Sequence, residues 1–175
     1  MGMVLASMKN SPIQRLVIND IAPEVPHSAM TRLSRYLHTD PYFNNLEELE
    51  SYLRTTLAPF SPMTDKDWKK LAKTSARKDI DDKGFRLAFD PDISNNYKRY
   101  WLLVYFNLWK YWKRIKCPVL IVRGEKSDFL TENLLEKMQA KLPHADVIEF
   151  ADAGHTPTLN APEQINPIID WLNKN

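Results

Sequence analysis

The sequence predicts an α/β protein built on a small parallel sheet, and three observations lead to it. Three short apolar runs have the length and β-branched content of buried strands: Leu16-Val17-Ile18-Asn19-Asp20-Ile21, Val119-Leu120-Ile121-Val122, and Asp146 to Phe150. The second and third are each followed by a segment whose apolar residues recur three and four apart, as on one face of a helix. Between the first and second strands lies a long stretch of helical patterning cut by prolines. Strands alternating with helices give a parallel sheet with right-handed crossovers.

Taken in order, residues Met1 to Asn10 read as a helix stopped by Ser11-Pro12. Leu16 to Ile21 is the first strand, ended by Pro23 and Pro26. Met30, Leu33 and Leu37 mark a helix that Asp40-Pro41 breaks. Leu46, Leu49, Leu53 and Leu57 mark another, with Asn45 and Glu48 placed as its N-terminal cap. Thr64 caps a third helix expected to run through Lys78, with Trp68, Leu71 and Ala72 on one face. Residues 79–96 read as turns, with Asp81-Asp82-Lys83-Gly84 and Asp90-Pro91-Asp92. Val119 to Val122 is the second strand. Thr131 to Lys141 is a helix with Leu134, Leu135 and Met138 inward. Asp146 to Phe150 is the third strand, and Pro162 to Asn173 a closing helix with Ile165, Ile168, Ile169 and Leu172 on its apolar face. The expected division is a core formed by 1–22 and 117–175, with 23–116 inserted as a helical lid.

Composition narrows the function classes. The 175 residues are 43% hydrophobic and 26% charged, the balance of a folded chain. Lys and Arg number 24 against 22 Asp and Glu, so net charge gives no case for nucleic-acid binding. A single cysteine excludes an internal disulfide and a Cys-based zinc finger. The longest apolar run, Tyr100 to Phe106, is far below the roughly 18 residues of a membrane span. Met1 to Met8 is apolar but has no basic leader, so a cytoplasmic protein is expected. The four glycines, Gly2, Gly84, Gly124 and Gly154, are too far apart to form a G-x-S-x-G nucleophile turn, a G-x-G-x-x-G dinucleotide loop or a Walker A loop.

The candidate site is Asp128 with His155. Each follows a strand at its carboxyl end, and in a parallel sheet those ends share one edge, where ligands bind. An aspartate that accepts a hydrogen bond from histidine Nδ1 fixes the tautomer and leaves Nε2 to act as a general base. Gly154 before the histidine permits close packing of the loop.

Four segments resemble the α/β-hydrolase family. Val119-Leu120-Ile121-Val122-Arg123-Gly124-Glu125-Lys126-Ser127-Asp128 is similar to its seventh strand and acid loop. Ala153-Gly154-His155-Thr156-Pro157-Thr158-Leu159 is similar to its histidine loop after the eighth strand. Leu16 to Glu24 resembles its sixth strand and the entry to its lid, and Phe85-Arg86-Leu87 through Asp90-Pro91 resembles a lid segment. The resemblance implies a partial α/β-hydrolase fold with a lid, and a serine hydrolase in which Asp128 orients His155. It also implies that the serine, which belongs on a glycine-rich turn before the helix resembling Gly2 to Ser7, stands outside these residues together with the oxyanion donors. The expected reaction is hydrolysis of an ester or carbon–carbon bond in a small acyl substrate, with the chain inactive alone. The alternative is a non-catalytic remnant or interaction module.

Other residues read as structural. Ser7 lies about 10 Å along the helix from the expected elbow, at ~1.5 Å per residue. Cys117 precedes Pro118 at the opposite end of its strand from the rim and reads as a buried thiol. Ser127 reads as a turn former. Asp20, after the first strand, is an alternative acid but reads rather as a lid-entry turn. His27, His38 and His144 have no metal spacing with one another or with Cys117, and no cofactor is expected. Residues 97–116 interleave Trp101, Trp109 and Trp112 with Lys98, Arg99, Lys110, Lys113, Arg114 and Lys116. That pattern fits an RNA or anionic-membrane patch, or a helix whose aromatics pack and whose cations are solvated; the resemblance supports packing for Asn107 to Ile115 and leaves Tyr100 to Phe106 open. Without the family's fifth strand, the first strand would have one ladder edge unpaired. That edge predicts marginal stability, or a partner or self-association there.

Overall fold

The computed structural model describes residues 1–37, 40–57, 62–79, 83–90 and 107–174. The elements in chain order are α1 (Gly2–Ala6), β1 (Leu16–Asn19), α2 (His27–Leu37), α3 (Leu46–Leu57), α4 (Asp65–Ser75), β2 (Ala76–Lys78), β3 (Phe85–Leu87), α5 (Trp109–Trp112), β4 (Val119–Gly124), α6 (Glu132–Lys141), β5 (Ala145–Phe150) and α7 (Pro162–Leu172). The chain divides into two compact units. One comprises Met1–Ala29, Pro59–Ser61 and Phe106–Asn175, the other Met30–Ala58 and Pro62–Tyr105.

The first unit holds the parallel sheet, in the order β1-β4-β5. Leu16 pairs with Val119 and Asn19 with Val122 on one side of β4, and Val119 pairs with Ala145 and Gly124 with Phe150 on the other. A central parallel strand is covered on both faces and so reads as a continuous apolar run. Val119, Leu120, Ile121 and Val122 are all 0% exposed. Their side chains alternate between two cores. Val119 and Ile121 pack with Met3, Ala6, Trp112, Leu134, Leu135 and Met138, the residues of α1, α5 and α6. Leu120 and Val122 pack with Ile168 and Trp171 of α7.

Among the described residues β1 pairs only with β4. The amides of Leu16 and Asp20 donate to the carbonyls of Pro118 and Val122. In a parallel ladder alternate residues bond to opposite sides, so the backbone groups of Val17 and Asn19 face the open edge.

The second unit has its own core of Phe43, Leu49, Leu53, Trp68, Ala72 and Leu87. The α3 cap forms as expected, with the Glu48 amide donating to Asn45 Oδ1 at 2.8 Å. Thr64 and Asp67 make the capping box that starts α4. Asp40 accepts from Arg77 and Arg86, and Arg86 also donates to Asp79, which ties the Asp40 segment to the β2–β3 hairpin.

Three boundaries and one helix face differ from the sequence reading. The α1 helix stops at Ala6 rather than Asn10, because the Ser7 hydroxyl donates to the Val4 carbonyl and closes the turn. The β1 strand ends at Asn19 rather than Ile21, because Asp20 turns into the left-handed region with φ 55°. The α4 helix ends at Ser75, and Ala76 to Lys78 forms β2, antiparallel to β3, where a helix and then turns were expected. On α7 the buried positions are Gln164, Ile168 and Trp171; Ile169 and Leu172 are exposed. Spacings of four and three residues describe one helical stripe, and Trp171 supplies the large apolar body that Ile169 and Leu172 were expected to give.

Candidate active site

The carboxyl ends of β1, β4 and β5 meet at one rim. Each contributes a residue whose conformation is set by a local requirement. Asp20 leaves β1 with φ 55°, which directs its side chain across the end of the neighbouring strand. Gly124 ends β4. A carbon attached there would overlap the Gly154 carbonyl oxygen and stand 2.6 Å from that of Ala153, so only glycine lets the loop after β5 close onto β4. The closure is held by the amides of Glu125 and Lys126, which donate to the carbonyls of Phe150 and Ala153, each at 3.0 Å. His155 is thereby brought over the rim.

Asp20 is fully buried, at 0% exposure. A buried carboxylate must find donors, and this one has four. Oδ1 accepts the Gly124 amide at 3.1 Å. Oδ2 accepts the Ser127 hydroxyl at 2.6 Å and the Thr156 amide at 3.0 Å, and lies 2.8 Å from Nδ1 of His155. Ser127 Oγ in turn accepts the amides of Phe129 and Leu130 at 3.1 and 3.0 Å. The Phe129 ring stacks on the imidazole, with centroids 3.7 Å apart and planes 13° apart. The imidazole is thus held along its edge by a carboxylate and across its face by a ring, with its side chain 18% exposed. An imidazole whose Nδ1–H is fixed on a carboxylate presents the other ring nitrogen as the base.

His155 therefore sits at the rim, as its spacing in the sequence suggested. The sequence reading paired Asp128 with Nδ1 and made Asp20 an alternative acid that reads rather as a lid-entry turn; the structure brings the Asp20 carboxylate to 2.8 Å from Nδ1. The reason is local. The left-handed turn at Asp20 and the bare backbone of Gly124 open a path from β1 over β4 to the histidine loop. Asp128 follows Ser127 on the β4 turn and is half-buried. The signal for Asp20 was in the sequence, as an aspartate at the carboxyl end of a strand neighbouring the one that precedes the candidate acid. The left-handed conformation that aims it leaves no mark in residue spacing.

The remaining candidates fall into place. Ser127 forms the turn, as expected, and adds a bond to Asp20. Ser7 caps α1. Cys117 is half-buried, and burial pushes its thiol above the ordinary cysteine value, which disfavours the reactive thiolate. His27 and His144 are exposed, and His38 lies outside the described residues. Among the described residues no three His, Cys, Asp or Glu side chains gather as a metal site. Trp109 and Trp112 are buried, donating to Glu24 Oε2 and to the Met138 carbonyl at 2.7 and 2.9 Å. Lys110, Lys113, Arg114 and Lys116 are exposed, and Lys98, Arg99, Trp101 and the run Tyr100 to Phe106 lie outside the described residues. No described helix is long and apolar enough to cross a membrane.

A small parallel sheet with a carboxylate–imidazole pair on loops at its carboxyl rim defines a class, and comparison with known proteins agrees with it. The model of the alpha/beta hydrolase family matches residues 3–168, and the chain belongs to that family. It is 32% identical over 170 residues to a 3-hydroxybutyrate-oligomer hydrolase of Cupriavidus necator, covering 94% of this chain and 58% of that protein. A Rickettsia typhi protein put forward as a hydrolase superposes with a TM-score of 0.88 at 28% identity, over 99% of this chain and 58% of its own. An alpha/beta hydrolase of Novosphingobium aromaticivorans gives 0.83 at 25% identity, over 97% and 60%. The chain thus spans a little under two thirds of the length of these relatives.

Proposed function

We propose that the chain carries the acid–base part of a serine-type hydrolase that cleaves an ester of a small acyl substrate. The observation that carries this reading is the 2.8 Å contact between Asp20 Oδ2 and His155 Nδ1 at the rim of the sheet. His155 acts as the base that takes the proton of a serine hydroxyl, then returns it to the leaving alcohol. Asp20 holds the imidazole in the tautomer that permits this and stabilises the imidazolium that forms. Asp128, on the same rim, is the second candidate for that acid. The serine and its oxyanion donors come from sequence beyond these residues, which contain no G-x-S-x-G turn, so the 175 residues alone are inactive.

The ester is preferred over a carbon–carbon bond because the Cupriavidus necator relative bears the name of an oligomer hydrolase for a hydroxy acid, 3-hydroxybutyrate. The helical second unit serves as the lid, and cytoplasmic residence belongs to the same proposal. The open edge of β1 is where the remaining part of the enzyme, or another copy, supplies a strand. A non-catalytic remnant is the second reading, favoured by the lack of a nucleophile turn among these residues.

Reconstitution decides between them. The chain is assayed alone and co-expressed with the N-terminal segment of the Cupriavidus necator relative, on p-nitrophenyl acetate and on a 3-hydroxybutyrate dimer. The expected result is no turnover alone, and turnover by the pair that His155→Ala abolishes. A soluble pair with no turnover favours the remnant. Rapid His155-dependent hydrolysis by the 175 residues alone overturns the placement of the nucleophile.

A further inference from the structure

We propose that Asn19 is a positioning residue that fixes the histidine loop, and that its place in the chain is kept for this at a cost in stability. The proposal rests on the reading of His155 as the base. Asn19 Nδ2 donates to the Pro157 carbonyl at 3.0 Å, across 138 positions of sequence. Its neighbour Asp20 contacts His155 Nδ1 and accepts the Thr156 amide. Two consecutive residues thus grip three consecutive residues of the loop.

Successive side chains on a strand point to opposite faces, so such a double grip is foreign to regular β structure. The left-handed turn at Asp20 makes it possible. Among the described residues only Asp20, Thr156 and Leu159 are non-glycine positions with positive φ, at 55°, 61° and 52°. All three lie in the two segments that this grip joins. Residues held in such conformations persist when the surroundings over-determine them, and they gather where geometry serves function. Thr156 and Leu159 flank Pro157, so the Asn19 bond falls inside the strained stretch.

The other end of the same amide shows the cost. Asn19 Oδ1 is buried with no hydrogen-bond partner among the described residues. A buried acceptor left unpaired destabilises a fold, and an apolar side chain of similar size would avoid that loss. Flipping the amide would set Oδ1 against the Pro157 carbonyl oxygen, so the donor faces the loop at the acceptor's expense.

The two roles have opposite signatures in one variant. In Asn19→Leu the unpaired acceptor is gone and so is the loop anchor. The test is nitrogen-15 NMR of the His155 ring in the 175-residue chain, with urea unfolding alongside. The wild-type Nδ1 proton should exchange slowly. In N19L its exchange should rise at least tenfold, while the urea midpoint stays level or rises. Asn19→Asp, which keeps the shape but loses the donor, should loosen the ring likewise. A ring proton unchanged in N19L, or already fast in the wild type, overturns the proposal. Loss of the slow proton together with a lowered midpoint in N19L overturns it too, since that marks ordinary structural damage. His155→Ala in the reconstituted enzyme tests the reading of the base separately. Activity indifferent to His155, with a ring loosened by N19L, would leave the anchor standing and remove its catalytic purpose.

Discussion

The backbone of Gly124 lies against the carbonyl of Gly154, so close that a side chain on Gly124 would overlap it. The last residue of the central strand and the residue before the histidine therefore touch main chain to main chain. This contact sets the height of the histidine loop above the sheet. It also leaves the lane over the end of β4 empty, and the Asp20 carboxylate occupies that lane, taking the Gly124 amide on the way to His155.

Replacing Gly124 with alanine should therefore displace the histidine loop rather than be absorbed by side-chain movement, because the groups in the way are backbone. Overpacking of a tight site costs about 3 kcal/mol at the upper end of the usual range. Urea unfolding of the Gly124→Ala chain should show a loss of that order, and the stacking of Phe129 on His155 should weaken in the NMR spectrum. A midpoint equal to wild type would show that the loop adapts at no cost.

Asp20 and Asp128 are separable by asparagine substitution. If Asp20 orients the base, Asp20→Asn in the reconstituted enzyme should lower kcat about 10⁴-fold, the scale of the loss when a triad aspartate becomes an amide. Asp128→Asn should change kcat less than tenfold, which is about 1.4 kcal/mol or less of barrier. The reverse order would make Asp128 the acid and Asp20 a structural carboxylate. D20N should also destabilise the isolated chain, by about 2 kcal/mol, since charge-assisted bonds to Ser127, Gly124 and Thr156 become ordinary or repulsive ones.

What the sequence made legible was whatever periodicity and termination record. The β4 run Val119 to Val122 read as a strand, and Thr64 and Asn45 marked helix starts through the bonds that their side chains make to the backbone. His155 at the rim followed from strand order alone. The approach of Asp20 to that histidine did not, because two aspartates end neighbouring strands and the left-handed backbone that aims Asp20 leaves no mark in residue spacing. The β2–β3 hairpin was hidden for a related reason. Ala76-Arg77-Lys78 has no strand pattern of its own, and the pairing is supported from a distance by Arg77, which donates to the Leu87 carbonyl and to Asp40. Trp171 was overlooked beside Ile169 and Leu172, where apolar type stood in for facing.

Trp112 tests the assignment of the aromatic, basic stretch to the core. It is 0% exposed, and its indole donates to the Met138 carbonyl at 2.9 Å, which joins α5 to α6 beneath the sheet. Trp112→Ala removes a large buried body and leaves a buried acceptor unpaired. Such truncations cost about 3–5 kcal/mol. The variant should be unfolded or nearly so in urea titrations that leave the wild type intact. Truncating exposed Leu172 should change the free energy of unfolding by no more than about 0.5 kcal/mol.

Glu24 gives the fold a pH dependence of known sign. Burial pushes its carboxyl up, but hydrogen bonds from Lys137 and Trp109 and the Lys137 charge together outweigh burial, and hold it below the ordinary glutamate value. Both bonds are 2.7 Å long, and the Lys137 ammonium also lies 4.5 Å from the centroid of the Trp109 ring. With its value depressed in the folded state, the native carboxyl binds protons less readily than the unfolded one. Its contribution is therefore complete above the unfolded value and is lost as the pH falls through the folded one. Thermal melts of the wild type and of Glu24→Gln should show the wild-type advantage level at neutral pH. It should shrink as the pH drops from about 5 through the ordinary glutamate value near 4.3 and below. An advantage that held constant across that range would assign the contact between Glu24 and Lys137 to packing rather than to charge.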